Sequence, residues 1–393
     1  MSRHQNFTPT ARAPGQVAVD RAIADLRRGG IVALHDQHRD TLAVVAAAEL
    51  LGATRVNDLT RLAGSAAVLA VTGPRAQALG LAENATTART IALTRDIDED
   101  MVSRLADPSL APGDAAALDV SGLTVLPAIG AGPAERALEL LKLAGLLPAA
   151  VVALVAPIAP MTAERWAAAH SLLLVDVAAV AAYRARMAAR LTRAAAAHVP
   201  LADAKDCEVV AFRPLDGGSE HLALVIGTVD RAAPVLTRVH SQCLTGDLLG
   251  SLRCDCGDQL RGAIREINAA GGGILLYLAQ EGRNIGLLNK LRAYALQDGG
   301  LDTIDANLAL GFDADERVYQ PAAEMLRQLG VTAVRLMTNN PEKVAQLEAC
   351  GITIRDRVAH VFPSNQHNEA YLRTKAARAG HYLLFLAVCR HDP

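Results

Sequence analysis

The sequence predicts an α/β (α+β) protein of two mixed α/β domains, each a mixed sheet with packed helices. Three observations carry that expectation. A chain of 393 residues is longer than one ordinary core organises. Strand-like apolar runs and helix-period segments interleave in both halves, without the strict alternation that would fix a sheet order. Pro200 and the polar stretch 202–206 mark a boundary, giving expected domains at 1–200 and 201–393.

The first half opens with helical spacing over residues 16–28, where Val17, Val19, Ile23 and Leu26 are apolar among polar neighbours. Gly29 and Gly30 stop this helix, and residues 31–34 read as a buried strand. An apolar, alanine-rich stretch follows at 41–51, with β-like runs at 67–71, 90–93 and 123–126. Residues 134–143 have helical spacing closed by Gly145, and 151–155 are again strand-like. Residues 186–197, basic and rich in alanine, read as a helix ending at His198-Val199-Pro200. Beyond it, 208–213 and 221–229 alternate as antiparallel strands joined at Asp216-Gly217-Gly218-Ser219. A strand at 235–240, an amphipathic helix at 258–270 and a buried strand at 274–278 come next. The helix 287–297, a polar loop at 298–307, a helix at 321–329, a strand at 333–338 and a helix at 342–349 complete the order.

Composition narrows the function. Hydrophobic residues make up 51% and charged ones 20%, the balance of a globular chain. Aromatics at 3% argue against a stacking platform for single-stranded nucleic acid, and a formal net charge of -2 gives no general polyanion field. A phosphate site must then be a local gathering of Arg and Lys. Six cysteines are too few and too unevenly spaced for a disulfide framework. The first residues have no apolar signal region, and the longest apolar run, 147–158, contains proline and is too short for a membrane span. A cytoplasmic protein, with neither nucleic acid nor membrane as partner, is the expectation.

The densest chemistry lies at Cys243, Cys254 and Cys256, a C-x10-C-x-C array flanked by arginines, a histidine and hydroxyls. Such a cluster reads as a metal site before it reads as a disulfide. Structural zinc normally takes four protein donors, whereas three donors and an open position are the catalytic pattern. A zinc-activated water is one reading; a closed site completed by His240 or a distant His or Cys is the other.

Three further segments carry chemistry. Glu281-Gly282-Arg283 follows a strand, where Arg283 can grip phosphate in two-pronged fashion and Glu281 can accept from the N1 and N2 hydrogens of guanine. Asp313-Ala314-Asp315-Glu316-Arg317 groups acids with one arginine. Thr338-Asn339-Asn340-Pro341-Glu342-Lys343 places a hydroxyl, amides and an ammonium at a strand-to-helix turn suited to phosphate. Taken singly, these are also ordinary surface charges, a solvated helix start and a helix cap. Together they outline a site for a phosphorylated guanine nucleotide beside an activated water. In the first half only His35, Asp36, His38, Arg39 and Asp40 form a dense polar group, and a solvated turn explains it as well as a site does.

Residues 205–380 resemble GTP cyclohydrolase II, through 238–247, 251–257, 280–298, 302–307, 310–317 and 335–343. The resemblance implies that GTP and water give a diaminopyrimidine ribosyl phosphate, formate and pyrophosphate. It further implies one zinc per subunit on Cys243, Cys254 and Cys256, with magnesium on the substrate phosphates and a homodimer. The GTP site would be Arg238, Val239, His240, Ser241, Gln242, Gln259, Glu281, Gly282, Arg283, Thr303, Thr338 and Lys343. Tyr294 aligns with a tyrosine essential near the ring, Asp315 with a proton acceptor and Arg317 with a nucleophile. Because guanidinium stays protonated, charge stabilisation is the alternative role for Arg317. Two positions depart from the family: Gln242 where Glu is frequent and Ala279 where Arg is frequent. A binding protein that holds zinc and GTP without turnover is the alternative function.

Residues 20–190 resemble 3,4-dihydroxy-2-butanone 4-phosphate synthase. The carriers are Arg21 to Gly30, the strand entering Asp36 to Asp40, Leu143 to Leu146, and Leu174 to Arg184. The family's acidic magnesium segment corresponds here to Arg39-Asp40-Thr41-Leu42-Ala43-Val44. Its Gly-His-Thr-Glu becomes Gly132-Pro133-Ala134-Glu135, and a later Glu aligns near Leu154. Magnesium needs hard oxygen ligands, so the resemblance implies a retained fold without synthase activity. Residues 381–393 suggest no function.

Overall fold

The computed structural model describes residues 13–51, 55–94, 97–110, 118–128, 132–187, 190–362 and 378. The expected tail 381–393 lies outside them, as does much of 363–380. The chain forms two compact units, the first reaching Arg184 and the second starting at Ala185.

The first unit is a seven-stranded mixed sheet. Its strands are β1 (Val32–Asp36), β2 (Thr41–Ala47), β3 (Ala67–Val71), β4 (Arg89–Ala92), β5 (Val125–Pro127), β6 (Ala149–Leu154) and β7 (Leu173–Asp176). They lie in the order β5-β4-β3-β6-β2-β1-β7, with only β1 and β7 parallel. The helices are α1 (Pro14–Arg27), α2 (Arg55–Ala63), α3 (Gly73–Ala78), α4 (Glu99–Ala106), α5 (Pro133–Ala144), α6 (Ala163–Ala169) and α7 (Val177–Met187). The central strands are buried along nearly their whole length, which is why they read as continuous apolar runs. Val44, Leu69 and Val151 share a core with Leu59, Leu105 and Trp166 of α2, α4 and α6. Helix α1 packs on α5, tied by Arg27 Nε donating to the Ala144 carbonyl at 2.6 Å.

The second unit is also a seven-stranded mixed sheet. It comprises β8 (Leu191–His198), β9 (Cys207–Pro214), β10 (His221–Gly227), β11 (Val235–Ser241), β12 (Gly272–Leu278), β13 (Ala333–Met337) and β14 (Thr353–Val358), ordered β14-β13-β11-β12-β10-β9-β8. Strands β8, β9, β10 and β12 are antiparallel neighbours, whereas β12, β11, β13 and β14 run parallel. Its helices are α8 (Cys256–Ala269), α9 (Gly286–Asp298), α10 (Thr303–Ala309), α11 (Gln320–Gln328) and α12 (Pro341–Ala349). Alternation along β12 feeds two cores. Leu275 joins Ile226, Ile267 and Met337 beside α8, and Leu276 joins Phe212, Val239 and Leu326 beside α11. Each fully buried side chain of this size contributes about 1.5–3 kcal/mol.

Two expectations are corrected. Residues 186–197 are not a helix: α7 ends at Met187, and Leu191–His198 is an edge strand paired with β9. Its small, exposed alanines have high helix propensity, but the ladder to β9 overrides that weak preference. The stretch 298–307 is not wholly a loop either. Asp302 accepts from the Ile304 and Asp305 amides at 2.7 and 2.8 Å and caps α10.

The parallel segment positions the site. The carboxyl ends of β11, β12 and β13 lie side by side, so the segments after Ser241, Leu278 and Met337 converge although they are far apart in sequence. Ligands of open sheets bind at such an edge.

Candidate active site

Strand β11 hands the chain to Gln242, whose amide donates to the Leu278 carbonyl at 2.8 Å. Cys243 follows, then a wide turn, Leu244–Leu248, that brings the chain back against the start of α8. There the sulfurs of Cys243, Cys254 and Cys256 lie within 4.8 Å of one another, with Cys243 and Cys254 3.7 Å apart. Tetrahedral zinc at about 2.3 Å from each thiolate would space two sulfurs by roughly 3.8 Å. Soft thiolates are the donors such a cation selects, so the residues fit it.

Two glycines make the cluster possible. A Cβ on Gly246 would come within 2.8 Å of Cys254 Sγ, 2.9 Å of Cys256 Cβ and 3.1 Å of Cys243 Sγ. A Cβ on Gly257 would lie 2.3 Å from the Gly246 carbonyl oxygen. Backbone therefore packs on backbone where the turn meets α8.

The three sulfurs hold protons unequally. Hydrogen bonds from Cys254 and Cys256 push Cys243 toward thiolate, whereas Cys254 is pushed up to about 11, chiefly by its hydrogen bond with Cys243. No fourth His, Cys, Asp or Glu joins the group among the described residues. His240 Nε2 is instead 3.1 and 3.2 Å from the two oxygens of Asp247. Burial lowers its affinity for a second proton despite that carboxylate. Asp247 also accepts from the Cys243 amide and the Tyr277 hydroxyl, both at 2.9 Å.

Beside the sulfurs opens a cavity of about 170 Å³. It gathers Arg238, Val239, His240, Ser241, Gln242, Gln259, Gly282, Arg283, Tyr294, Thr303, Arg317, Thr338 and Lys343 with the three cysteines. Arg238 Nε and Ser241 Oγ are buried there without a hydrogen-bond partner among the described residues. Such orphaned atoms are costly unless a ligand satisfies them. Arg238 otherwise donates to the Met337 carbonyl at 2.8 Å, and burial lowers its pKa only to about 10.

Each wall has a local cause. The turn Glu281–Asn284 has left-handed backbone at Gly282 and Arg283, with φ of 61° and 59°. It is stitched to the acidic segment by Arg283 Nη1 donating to the Ala314 carbonyl and Asn284 Nδ2 to that of Glu316, both at 3.1 Å. Asn340 accepts from the Glu342 amide at 2.9 Å and caps α12, while Lys343 Nζ donates to the Val239 carbonyl at 2.8 Å. Tyr294 lies under the Arg253 guanidinium at 4.9 Å, and burial raises its pKa.

Two expected residues sit behind the wall. Asp315 accepts from Arg317 Nε at 2.8 and 3.0 Å. Burial alone would raise its pKa, but the Arg317 guanidinium outweighs it and holds the carboxyl below the usual range. The Glu281 carboxylate turns to the cysteine turn, accepting from the Leu244 amide and from Lys290, both at 2.7 Å. Sequence reasoning missed Lys290, Asp247, Arg253, Asn307 and Gly246. The one available signal was the i,i+4 spacing of Lys290 and Tyr294, which puts both on one face of α9.

His221 supports the turn from below, its Nδ1 accepting from the Ala279 amide at 3.0 Å. Burial lowers its pKa from 6.5 to about 4. Between these values the unfolded chain binds a proton that the folded chain refuses, so stability present above about pH 6.5 is lost as pH falls toward 4. The full loss is on the order of 3 kcal/mol. Urea midpoints at pH 7 and 4.5 should fall more steeply for the wild type than for His221→Gln.

The GTP cyclohydrolase II family model matches residues 192–359. The GTP cyclohydrolase-2 of Azospirillum brasilense is 53% identical over 365 residues, 93% of this chain and 93% of that protein. The chain belongs to the GTP cyclohydrolase II family. Another relative, the GTP cyclohydrolase-2 of Xylella fastidiosa (strain Temecula1), is 39% identical across 96% of this chain and 91% of its own length. Among solved structures, a two-domain 3,4-dihydroxy-2-butanone 4-phosphate synthase from A. baumannii aligns with 87% of this chain and 99% of its own at 18% identity. Its TM-score of 0.35 is too low to bear on the fold. The Azospirillum and Xylella relatives both match over both halves of this chain, so the first half is part of the sequence shared with them.

Proposed function

We propose that the protein is a zinc-dependent GTP cyclohydrolase II of riboflavin biosynthesis. It converts GTP and water to 2,5-diamino-6-ribosylamino-pyrimidinone 5'-phosphate, formate and pyrophosphate. One observation carries this reading: three clustered thiols share a cavity with Arg283, Arg317 and Lys343. Soft donors for a cation and hard donors for phosphate thus flank one volume. When bound, zinc on Cys243, Cys254 and Cys256 supplies an acidified water.

The chain's own residues do the rest. Arg283, Arg317 and Lys343 hold the phosphates, with magnesium arriving on the substrate. Arg238 Nε and Ser241 Oγ, with Val239, His240, Gln242, Gln259, Gly282, Thr303 and Thr338, line the nucleoside. Asp315 orients Arg317 and accepts a proton. Arg317, ion-paired and protonated, stabilises charge on the departing phosphates rather than attacking phosphorus. Tyr294, its proton retained, can donate to the ring. Incubating the protein with GTP, zinc and magnesium should release formate and pyrophosphate. Bound GTP with neither product would favour the non-turning-over reading. Asp315→Asn should lower kcat by about 10² or more, read from the same products.

We also propose that residues 201–393, together with the edge strand β8, carry this chemistry and act as a cytoplasmic homodimer. Among the described residues no helix is long and apolar enough to cross a membrane. Of residues 1–200, the part before β8 is proposed to be a synthase-like domain without synthase activity. In support, Leu42, Ala43 and Val44 are buried in β2, Ala43 faces Leu154 in register, and Pro133 opens α5. None of these offers an oxygen side chain to magnesium. Incubation with ribulose 5-phosphate should leave the substrate unchanged.

A further inference from the structure

Lys290 projects from α9 into the protein, and its ammonium meets three acceptors. They are Cys243 Sγ at 3.1 Å, Thr245 Oγ1 at 2.9 Å and Glu281 Oε1 at 2.7 Å. An ammonium has three N–H donors, so its capacity is used in full. The other Glu281 oxygen accepts from the Leu244 amide at 2.7 Å. Three consecutive residues of the cysteine turn are therefore held by one ion pair: 243 by its sulfur, 244 by its amide and 245 by its hydroxyl.

Stability alone explains this poorly. Both side chains of the pair are only 10% exposed, and a buried ion pair is often no more stable than an apolar replacement of similar size. Its placement has a chemical use. Three thiolates around a divalent cation leave a net charge of roughly −1 and the Glu281 carboxylate adds another, so without the Lys290 ammonium two negative charges would face each other unscreened. Glu281 also begins the turn that brings Arg283 to the cavity, and Lys290 Nζ lies 5.7 Å from the Tyr294 ring centre. The pair thus joins the sulfur cluster to the nucleotide wall.

We propose that Lys290 is a positioning residue of the reaction. With Glu281 it fixes the turn carrying Cys243 and supplies the counter-charge of the thiolate cluster, so that metal retention and turnover depend on it while GTP binding does not. The proposal rests on the functional reading above.

The test compares wild type, Lys290→Met, Lys290→Arg and Glu281→Gln, each loaded with zinc. Zinc transfer to a chromogenic chelator is timed, and kcat and KM for GTP are measured separately. Lys290→Met should release zinc about 10- to 100-fold faster, as loss of a partner behind a metal ligand does. Its kcat should fall while KM stays within about twofold, the pattern of a group not used in ground-state binding. Lys290→Arg should restore part of the retention, and Glu281→Gln should release zinc at an intermediate rate. Wild-type zinc release and kcat in Lys290→Met would overturn the proposal. So would a purely structural pattern, in which thermal stability drops and zinc release from the folded fraction is unchanged. If Lys290→Met does not fold, wild-type zinc release in both Lys290→Arg and Glu281→Gln overturns it. A wild type that retains zinc yet never turns over GTP would instead defeat the functional reading, because zinc release is scored without turnover.

Discussion

Serine at Cys254 is expected to stop formate release and to strip the bound metal. Sulfur to oxygen replaces a soft thiolate by a neutral hydroxyl, which a cation such as zinc binds poorly. Losing a partner behind a ligand already costs about 10- to 100-fold, so losing the ligand should exceed 100-fold in retained metal. Metal per chain and formate per GTP are the readouts, and far-ultraviolet circular dichroism reports whether the fold survives. Cys350→Ser is the control, since Cys350 lies outside the cluster at the end of α12. Formate released at the wild-type rate by Cys254→Ser would remove the metal-activated water from the account.

A single methyl group at Gly246 should do nearly as much. Its Cβ would crowd atoms of all three cysteines at 2.8 to 3.1 Å, and none of them can retreat while its sulfur faces the common centre. Overpacking of this kind costs about 1–3 kcal/mol in a core. At a metal site it should emerge as lost affinity, because spreading the sulfurs relieves the clash. Gly246→Ala is expected to bind metal at least about tenfold more weakly, with its thermal midpoint shifted by a few degrees. Gly122→Ala, whose Cβ would meet nothing within 4 Å, is the matched control. Wild-type metal affinity in Gly246→Ala would mean that the turn moves freely and that its approach to α8 is not required.

How far these sites could be read in advance differed by residue. Cys243, Cys254 and Cys256 stood out because no other common role suits three unpaired thiols at that spacing. Cys243 follows β11 and Cys256 opens α8; the neighbouring strand β12 was legible because burial leaves an almost unbroken apolar run there. The alanine stretch in β8 was not, since alanine favours a helix wherever no partner decides otherwise, and its partner β9 begins nine residues after β8 ends. Lys290 escaped for a related reason: one lysine on a helix reads as solvated surface until the fold shows what it faces. Glu281 was recognised as important, but its contact was not. Only the convergence of β11 and β12 at one edge shows the carboxylate facing the Leu244 amide rather than the cavity wall.

The edge position of β8 determines where the second half could be cut free. Leu215 donates its amide to the Arg190 carbonyl at 3.1 Å, and Gln328 reaches from α11 to the Leu191 carbonyl at 2.8 Å. A fragment starting at residue 201 would lose both anchors and leave β9 with a row of unpaired backbone donors and acceptors. Such a margin recruits whatever extended chain it meets, so that fragment should clump on standing. One that keeps residues from 190 onward retains its own selvage, and should stay dispersed at the same concentration.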